Sequence, residues 1–169
     1  AFVAQHMLSL LLACASRLVE ADQPLRRGDW RNRYDYLESM FLPGKTCLLL
    51  GYGAIGKALE PLVRNLGMKV SMVKRQLTTE MIGDSKVFEV SQLHQALEQA
   101  DVVLCSLPGT PETENLLDTK AFAKMRQGSI LVNVGRGSVI DQYALYDALK
   151  SNHLLAAGID VWWNYPKTK

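Results

Sequence analysis

From Lys45 onward, short apolar runs alternate with longer stretches in which apolar residues recur every three or four positions. The first pattern is that of strands buried on both faces and the second that of helices packed on them, so their alternation predicts a parallel sheet. Strands are predicted near residues 46–51, 69–73, 87–90, 101–107, 129–134 and 155–161, with helices near 54–66, 92–99, 119–124 and 141–151. Asp118 and Asp141 stand where N-caps belong, Gly67 suits a helix C-terminus, and Pro61 is expected to bend its helix. Upstream, Phe2 to Ala21 reads as one long helix, apolar over most of its surface and therefore in need of a covering partner. Asp22 to Pro43, with Arg26, Arg27, Trp30, Arg31, Arg33, Tyr34 and Tyr36, reads as an irregular arm, either solvated or an intersubunit contact.

The fold class is α/β, a doubly wound, Rossmann-type parallel sheet in three layers preceded by a helix and arm. Residues 1–43 form that N-terminal part and residues 44–169 the sheet domain. Ligands of such sheets sit beyond the C-terminal strand ends, which draws attention to the loops after Leu50, Val73, Leu107, Val134 and Val161. The first of these loops is Gly51-Tyr52-Gly53-Ala54-Ile55-Gly56, a Gly-x-Gly-x-x-Gly run between strand and helix. There the first glycine permits the tight turn, the second admits a pyrophosphate against the backbone, and the third lets helix and strand pack closely. Unpaired amides and the positive end of the helix dipole then favour an anion. An acidic residue at the end of the second strand would take the adenine ribose hydroxyls of NAD. Lys74 stands there, 18 residues after Gly56, followed by Arg75, and no carboxylate is available, which suits the 2′-phosphate of NADP.

Composition narrows the classes without choosing among them. A chain of 169 residues fits one domain with a sizeable core, not two. Lys plus Arg number 19 against 17 Asp plus Glu, a balance that argues against nucleic acid as a partner. The apolar run from Met7 to Ala15 is too short to span a bilayer and lacks the flanks of a signal peptide, so no membrane partner is expected. Cys14, Cys47 and Cys105 are widely spaced in apolar surroundings, which points to buried thiols in a reducing compartment, the cytoplasm, and to no metal site.

Three further segments carry a family pattern: Asp101-Val102-Val103-Leu104-Cys105-Ser106-Leu107-Pro108 leading to Thr113 and Leu116-Leu117; Leu131-Val132-Asn133-Val134-Gly135-Arg136-Gly137-Ser138-Val139-Ile140-Asp141; and Ala157-Gly158-Ile159-Asp160-Val161-Trp162 before Pro166. Together with the opening Ala4-Gln5-His6 through Arg17 to Gly28-Asp29-Trp30, they resemble the cofactor domain of the D-2-hydroxyacid dehydrogenases over nearly the whole chain. The resemblance implies an NAD(P)-dependent oxidoreductase acting on a small 2-oxo or 2-hydroxy acid, and a homodimer built by the first helix and arm. It implies pyrophosphate contacts from Ala54 and Ile55, a cofactor groove lined by Leu107 and Pro108, and a nicotinamide above Val134, Gly135 and Arg136 with Asp160 accepting from its carboxamide. It makes Arg136 the catalytic residue, and the chemistry agrees: a guanidinium can clamp a carboxylate at two points and polarise the adjoining carbonyl.

The chain also departs from that pattern. Tyr165 occupies the position, five residues after Asp160, where the family carries an acid paired with a catalytic histidine, or glutamine in formate dehydrogenases. A neutral phenol does not raise an imidazole's pKa by charge. The histidine itself is expected beyond Pro166; His94 and His153 are expected to be structural and His6 a core or interface residue. With the substrate domain and the last helices also expected outside the sequence, the reading is a cofactor domain cut from a longer protein, or a partial gene product, inactive by itself. Two alternatives stand beside it: a non-catalytic cofactor-binding or assembly module, which Tyr165 keeps open, and the NAD domain of an adenosylhomocysteinase-like enzyme, which shares Gly-Tyr-Gly-x-x-Gly-Lys but does not account for Arg-Gly-Ser-Val-Ile-Asp.

Overall fold

A computed structural model describes residues 2–29, 38–76 and 80–165. Seven strands form one sheet: β1 (Thr46–Leu50), β2 (Lys69–Lys74), β3 (Met81–Ile82), β4 (Ser85–Glu89), β5 (Val102–Cys105), β6 (Ser129–Asn133) and β7 (Leu154–Ile159). Their spatial order is β3-β4-β2-β1-β5-β6-β7, parallel throughout except for β3, which pairs antiparallel with β4. The chain steps from β1 outward to β2 on one side and later returns to place β5 on the other, which is the order reversal at which such sheets hold ligands.

Burial on both faces follows from the alternation within each strand. In β1, Leu48 and Leu50 join the core on one face while Cys47 and Leu49 join the core on the other. The first core is closed by α4 (Leu93–Leu97), α5 (Thr119–Lys124) and α6 (Gln142–Lys150), which contribute Leu97, Phe122 and Leu145. The second is closed by α1 (Phe2–Ala15) and α3 (Ala54–Asn65), through Met7, Leu11, Leu59 and Val63. Asp118 and Asp141 are N-caps as expected: Asp118 accepts from the Ala121 amide at 2.8 Å and Asp141 from those of Tyr143 and Ala144 at 2.9 Å. The chain leaves α3 through Gly67 at φ +76°, and the helix itself runs on through Pro61.

Three expectations are corrected. The first helix does not run from Phe2 to Ala21: α1 ends at Ala15 and α2 (Leu18–Arg26) starts after Arg17, whose φ of +53° bends the pair by 63°. Ser16 Oγ bonds back to the Leu12 carbonyl at 2.7 Å, while the Arg17 guanidinium donates to Leu155 O at 3.0 Å and pairs with Glu20 at 3.0 Å. These bonds hold the break in place, and the arm accordingly begins after Arg26. The two-residue strand β3 was not expected, being too short to show alternation. Cys47 and Cys105 are fully buried, but Cys14 is only half-buried. The arm residues Trp30, Arg31, Arg33, Tyr34 and Tyr36 lie outside the described residues.

α1 presses Ala4, Met7, Leu11 and Ala15 onto the domain and leaves Phe2, Leu12 and, on α2, Leu18 and Val19 exposed. Among the described residues no single helix is long and apolar enough to cross a membrane.

Candidate functional site

Register places the site. Leu50 pairs with Val73 on one side and Cys105 on the other, Cys105 with Asn133, and Asn133 with Ile159, so these five residues form one row across the sheet. The residues one step beyond that row are Gly51, Lys74, Ser106, Val134 and Asp160. Four of these five are residues singled out in the sequence, and they leave their strands at the same level.

The glycine turn has three different reasons for its three glycines. Gly51 has φ +97°, a conformation that only glycine adopts easily. A side-chain carbon at Gly56 would stand 2.5 Å from the Gly51 carbonyl oxygen, so strand end and helix touch through backbone. One at Gly53 would meet nothing within 4 Å. The first helical bond runs from the Lys57 amide to Gly53 O at 2.9 Å, so the amides of Ala54, Ile55 and Gly56 precede the ladder and face the open space before the helix. Open volume before unpaired amides is what a pyrophosphate requires. Tyr52 anchors the turn from the other side. Its hydroxyl bonds the Glu60 carboxylate, which raises the phenol's pKa, and Glu60 pairs with Arg64 at 3.1 Å, which reaches Asp84 at 2.6 Å.

A cavity of about 480 Å³ opens beside this turn. Its walls are Gly51 and Tyr52, the β2 end with Val73, Lys74 and Arg75, and the loop after β5 with Leu107, Pro108 and Leu116. Apolar walls with two cations at one rim suit a flat base and an anion. The end of β2 itself offers only Lys74 and Arg75, and Glu112, from the loop after β5, adds a carboxylate to the lining of the same cavity. Its carboxyl is held below the usual range, chiefly by a hydrogen bond from Thr110 and more weakly by the charge of Arg75.

At the other side of the switch point, the loops after β5, β6 and β7 interlock through backbone. A carbon added at Gly135 would lie 2.3 Å from Leu107 O, and one at Gly137 2.4 Å from Trp162 C and O. One at Gly109 would lie 3.1 Å from Arg136 Cγ and from Ser138 Oγ. Asn133, fully buried at the end of β6, staples the middle loop: its Oδ1 accepts from the Gly135 amide and its Nδ2 donates to Arg136 O, both at 3.0 Å. Val134 is buried, and its amide bonds Cys105 O at 3.1 Å. The Arg136 side chain is exposed, with Nη1 donating to Gly135 O at 2.7 Å, and among the described residues no carboxylate pairs with it.

Asp160 is also exposed; its amide donates to Asn133 O at 3.0 Å and its Oδ1 lies 3.0 Å from His6 Nε2. Tyr165 lies in the same loop, its phenol oxygen accepting from the Trp162 amide at 3.1 Å. Trp163 Nε1 bonds Ile140 O at 2.6 Å and so ties this loop to the end of the Arg136 loop. His94 is exposed on α4, and His153 Nε2 is bonded to Phe122 O at 2.9 Å, both away from these loops. Among the described residues no group of His, Cys, Asp or Glu could hold a metal ion.

Sequence reasoning missed the contributions of Glu112 and of the His6–Asp160 pair, which join distant segments, and of the Tyr52–Glu60 bond, which spans only eight residues but depends on how the turn folds back on its own helix. Asn133 carried a signal, being an amide at the end of an otherwise apolar strand.

The chain matches the family model described as D-isomer specific 2-hydroxyacid dehydrogenase, NAD binding domain, over residues 8–169. It is 35% identical to a D-3-phosphoglycerate dehydrogenase of Mycobacterium leprae over 165 residues, covering 98% of this chain and 31% of that protein. It is 35% identical to a glyoxylate reductase of Thermococcus gammatolerans over 163 residues, covering 94% of this chain and 48% of that protein. The solved structure of TT0316 protein from Thermus thermophilus superposes with a TM-score of 0.86 at 36% identity, covering 98% of this chain and 51% of that one. The chain thus spans about a third to a half of the length of these relatives. Taken with a glycine turn open at Gly53 and an arginine loop interlocked beside it, the match over residues 8–169 means that the chain belongs to the D-isomer specific 2-hydroxyacid dehydrogenase family, as its NAD-binding domain.

Proposed function

We propose that this domain serves an oxidoreductase that passes a hydride between a nicotinamide dinucleotide and a small 2-oxo or 2-hydroxy acid, with Arg136 holding the acid. The observation that carries the reading is an arginine without a carboxylate partner among the described residues, on a loop fixed by Asn133, Gly135 and Gly137 and beside the glycine turn. Gly51, Gly53, Ala54, Ile55 and Gly56 would take the pyrophosphate, Leu107 and Pro108 the adenosine side, and Val134, Gly135 and Asp160 the nicotinamide side. Bound there, the cofactor supplies or accepts the hydride. Arg136 then clamps the substrate carboxylate and stabilises the negative charge that grows on the carbonyl oxygen during reduction. His94 and His153 lie away from these loops and the His6 Nε2 is engaged with Asp160, so this chain alone is expected to bind cofactor without turnover. Arg136→Ala in a full-length protein carrying the domain should cost about 2–4 kcal/mol of barrier with cofactor affinity unchanged, followed as NADPH or NADH oxidation across a panel of 2-oxo acids. Full activity of that variant would remove Arg136 from the mechanism. A full-length protein that binds cofactor but reduces no acid in the panel would favour a non-catalytic module, the reading supported by a phenol bonded to Trp162 where an acid is usual.

The cofactor preference is NADP over NAD, because Lys74 and Arg75 stand at the ribose edge of the cavity. Charge-assisted bonds to phosphate contribute about 1.5–3 kcal/mol, which corresponds to roughly tenfold or more in affinity. Glu112, close to Arg75, opposes part of that gain, so Glu112→Gln should widen the preference and Lys74→Asp should reverse it. Calorimetric titration of NADPH and NADH decides, and equal affinities would refute the assignment. The exposed Phe2, Leu12, Leu18 and Val19 support a homodimer through the first two helices, which sedimentation at micromolar concentration tests. Three free cysteines suit a reducing compartment, the cytoplasm.

A further inference from the structure

Asp160 is an exposed carboxylate on a loop, and such side chains ordinarily sample several rotamers. Here it is tied at both ends. Its amide donates to Asn133 O at 3.0 Å, and its Oδ1 meets His6 Nε2 at 3.0 Å across 154 positions of sequence. An ionised carboxylate only accepts, so Nε2 is the protonated nitrogen of His6 and donates. The imidazole is itself well placed to hold a fixed direction. His6 lies on α1 between Ala4 and Met7, both buried against the sheet side, so α1 carries the ring over the ends of β6 and β7. The same Asn133 whose carbonyl receives the Asp160 amide clamps the Arg136 loop with its side chain. His6, Asp160, Asn133 and Arg136 are therefore one connected set that joins the first helix to the arginine loop.

We propose that His6 is a positioning residue for the nicotinamide end of the site: it fixes one oxygen of Asp160 so that the other is presented to the carboxamide N–H₂ of the ring. The inference rests on the functional reading above, in which Asp160 faces that carboxamide. A His–Asp pair with both side chains about 40–45% exposed contributes little to folding, so its use lies in preorganisation. Fixing a rotamer before binding removes an ordering cost from the binding step, and losing that fixation should weaken a ligand that uses Asp160 by about three- to tenfold. A ligand without the nicotinamide ring should not notice.

The test is calorimetric titration of the chain with NADH and NADPH, and with ADP-ribose and its 2′-phosphate, which lack the ring. His6→Ala is expected to weaken the complete dinucleotides three- to tenfold and to leave the ring-free probes within twofold. His6→Gln, whose side-chain amide can donate to the same oxygen, should restore binding, and His6→Ala should have no further effect once Asp160→Ala is present. Equal weakening of all probes by His6→Ala would overturn the proposal in favour of a structural role for α1. An Asp160→Ala variant that loses dinucleotide affinity while His6→Ala does not would overturn it and leave the role of Asp160 standing. If Asp160→Ala also binds like wild type, both assignments fall. If the unaltered chain binds none of the probes, the reading of the domain falls with them.

Discussion

The glycine turn should come apart into two separable properties under alanine substitution. At Gly56 the added carbon would sit 2.5 Å from the Gly51 carbonyl oxygen, whereas ordinary carbon–oxygen contacts are about 3.3–3.6 Å, so α3 and the end of β1 must separate by roughly 1 Å. The obstacle is backbone in both directions and no side chain can rotate away. Overpacking of this kind costs typically 1–3 kcal/mol, and the rigid partner puts Gly56→Ala at the upper end, about 3 kcal/mol. For a domain of this size that is roughly 6–12 °C in melting temperature. At Gly53 the same carbon meets nothing within 4 Å, and the backbone angle of −85° is open to alanine, so the fold should be unchanged or gain a few tenths of a kcal/mol from a less flexible unfolded chain. The methyl would instead stand in the space proposed for a pyrophosphate, and cofactor affinity should drop at least about tenfold. Differential scanning calorimetry and dinucleotide titration on both variants provide the two readouts. A Gly53→Ala variant that binds like wild type would mean that no phosphate rests on the start of α3, and a Gly56→Ala variant that melts like wild type would refute the tight contact.

Further outcomes follow from single contacts. Asn133→Ala removes two hydrogen bonds and leaves the Gly135 amide and Arg136 carbonyl unpaired, so urea unfolding should show a loss of about 2–4 kcal/mol; less than 1 kcal/mol would mean that the loop holds itself. Asp141→Ala should cost about 1 kcal/mol by the same assay, since two helix amides lose their acceptor. Burial pushes the Cys105 thiol up from 9.0 to about 11 and Cys47 higher still. The native state thus holds its thiol protons more tightly than the unfolded state, and stability is level below about pH 9 and falls as pH rises through 11, with about 3 kcal/mol from Cys105. Urea titrations from neutral to alkaline pH should show a shallower decline in Cys105→Ala.

The parallel sheet was legible because its evidence is local: β1 and β6 are continuous apolar runs, and Gly51, Gly67, Asp118 and Asp141 mark turns and caps at the chain positions where they act. The break at Arg17 was not legible, since the carbonyl that its guanidinium reaches belongs to Leu155, on a strand at the far end of the sequence. The same reason hid Glu112, which reaches the cavity from a different loop than the strand end being read, and the pairing of His6 with Asp160. Arg136 could be named from its motif, but the three-way backbone contact around it needed coordinates.

That contact has a consequence for how the chain can change length. Where Gly135 meets Leu107 and Gly137 meets Trp162, one main chain rests directly on another, and an inserted residue in any of the three loops would have to displace the other two. Insertions and deletions should therefore be barred on this side of the sheet and accumulate elsewhere. Gly83, in the exposed turn between β3 and β4, has nothing within 4 Å of an added carbon, and neither has Gly128, in the half-exposed turn before β6. A peptide tag or a fluorescent label placed at Gly83 should leave the arginine loop undisturbed. Lineages that diverge in substrate would then be expected to keep the spacing from Asn133 to Gly137 fixed while the length of the β3–β4 turn drifts.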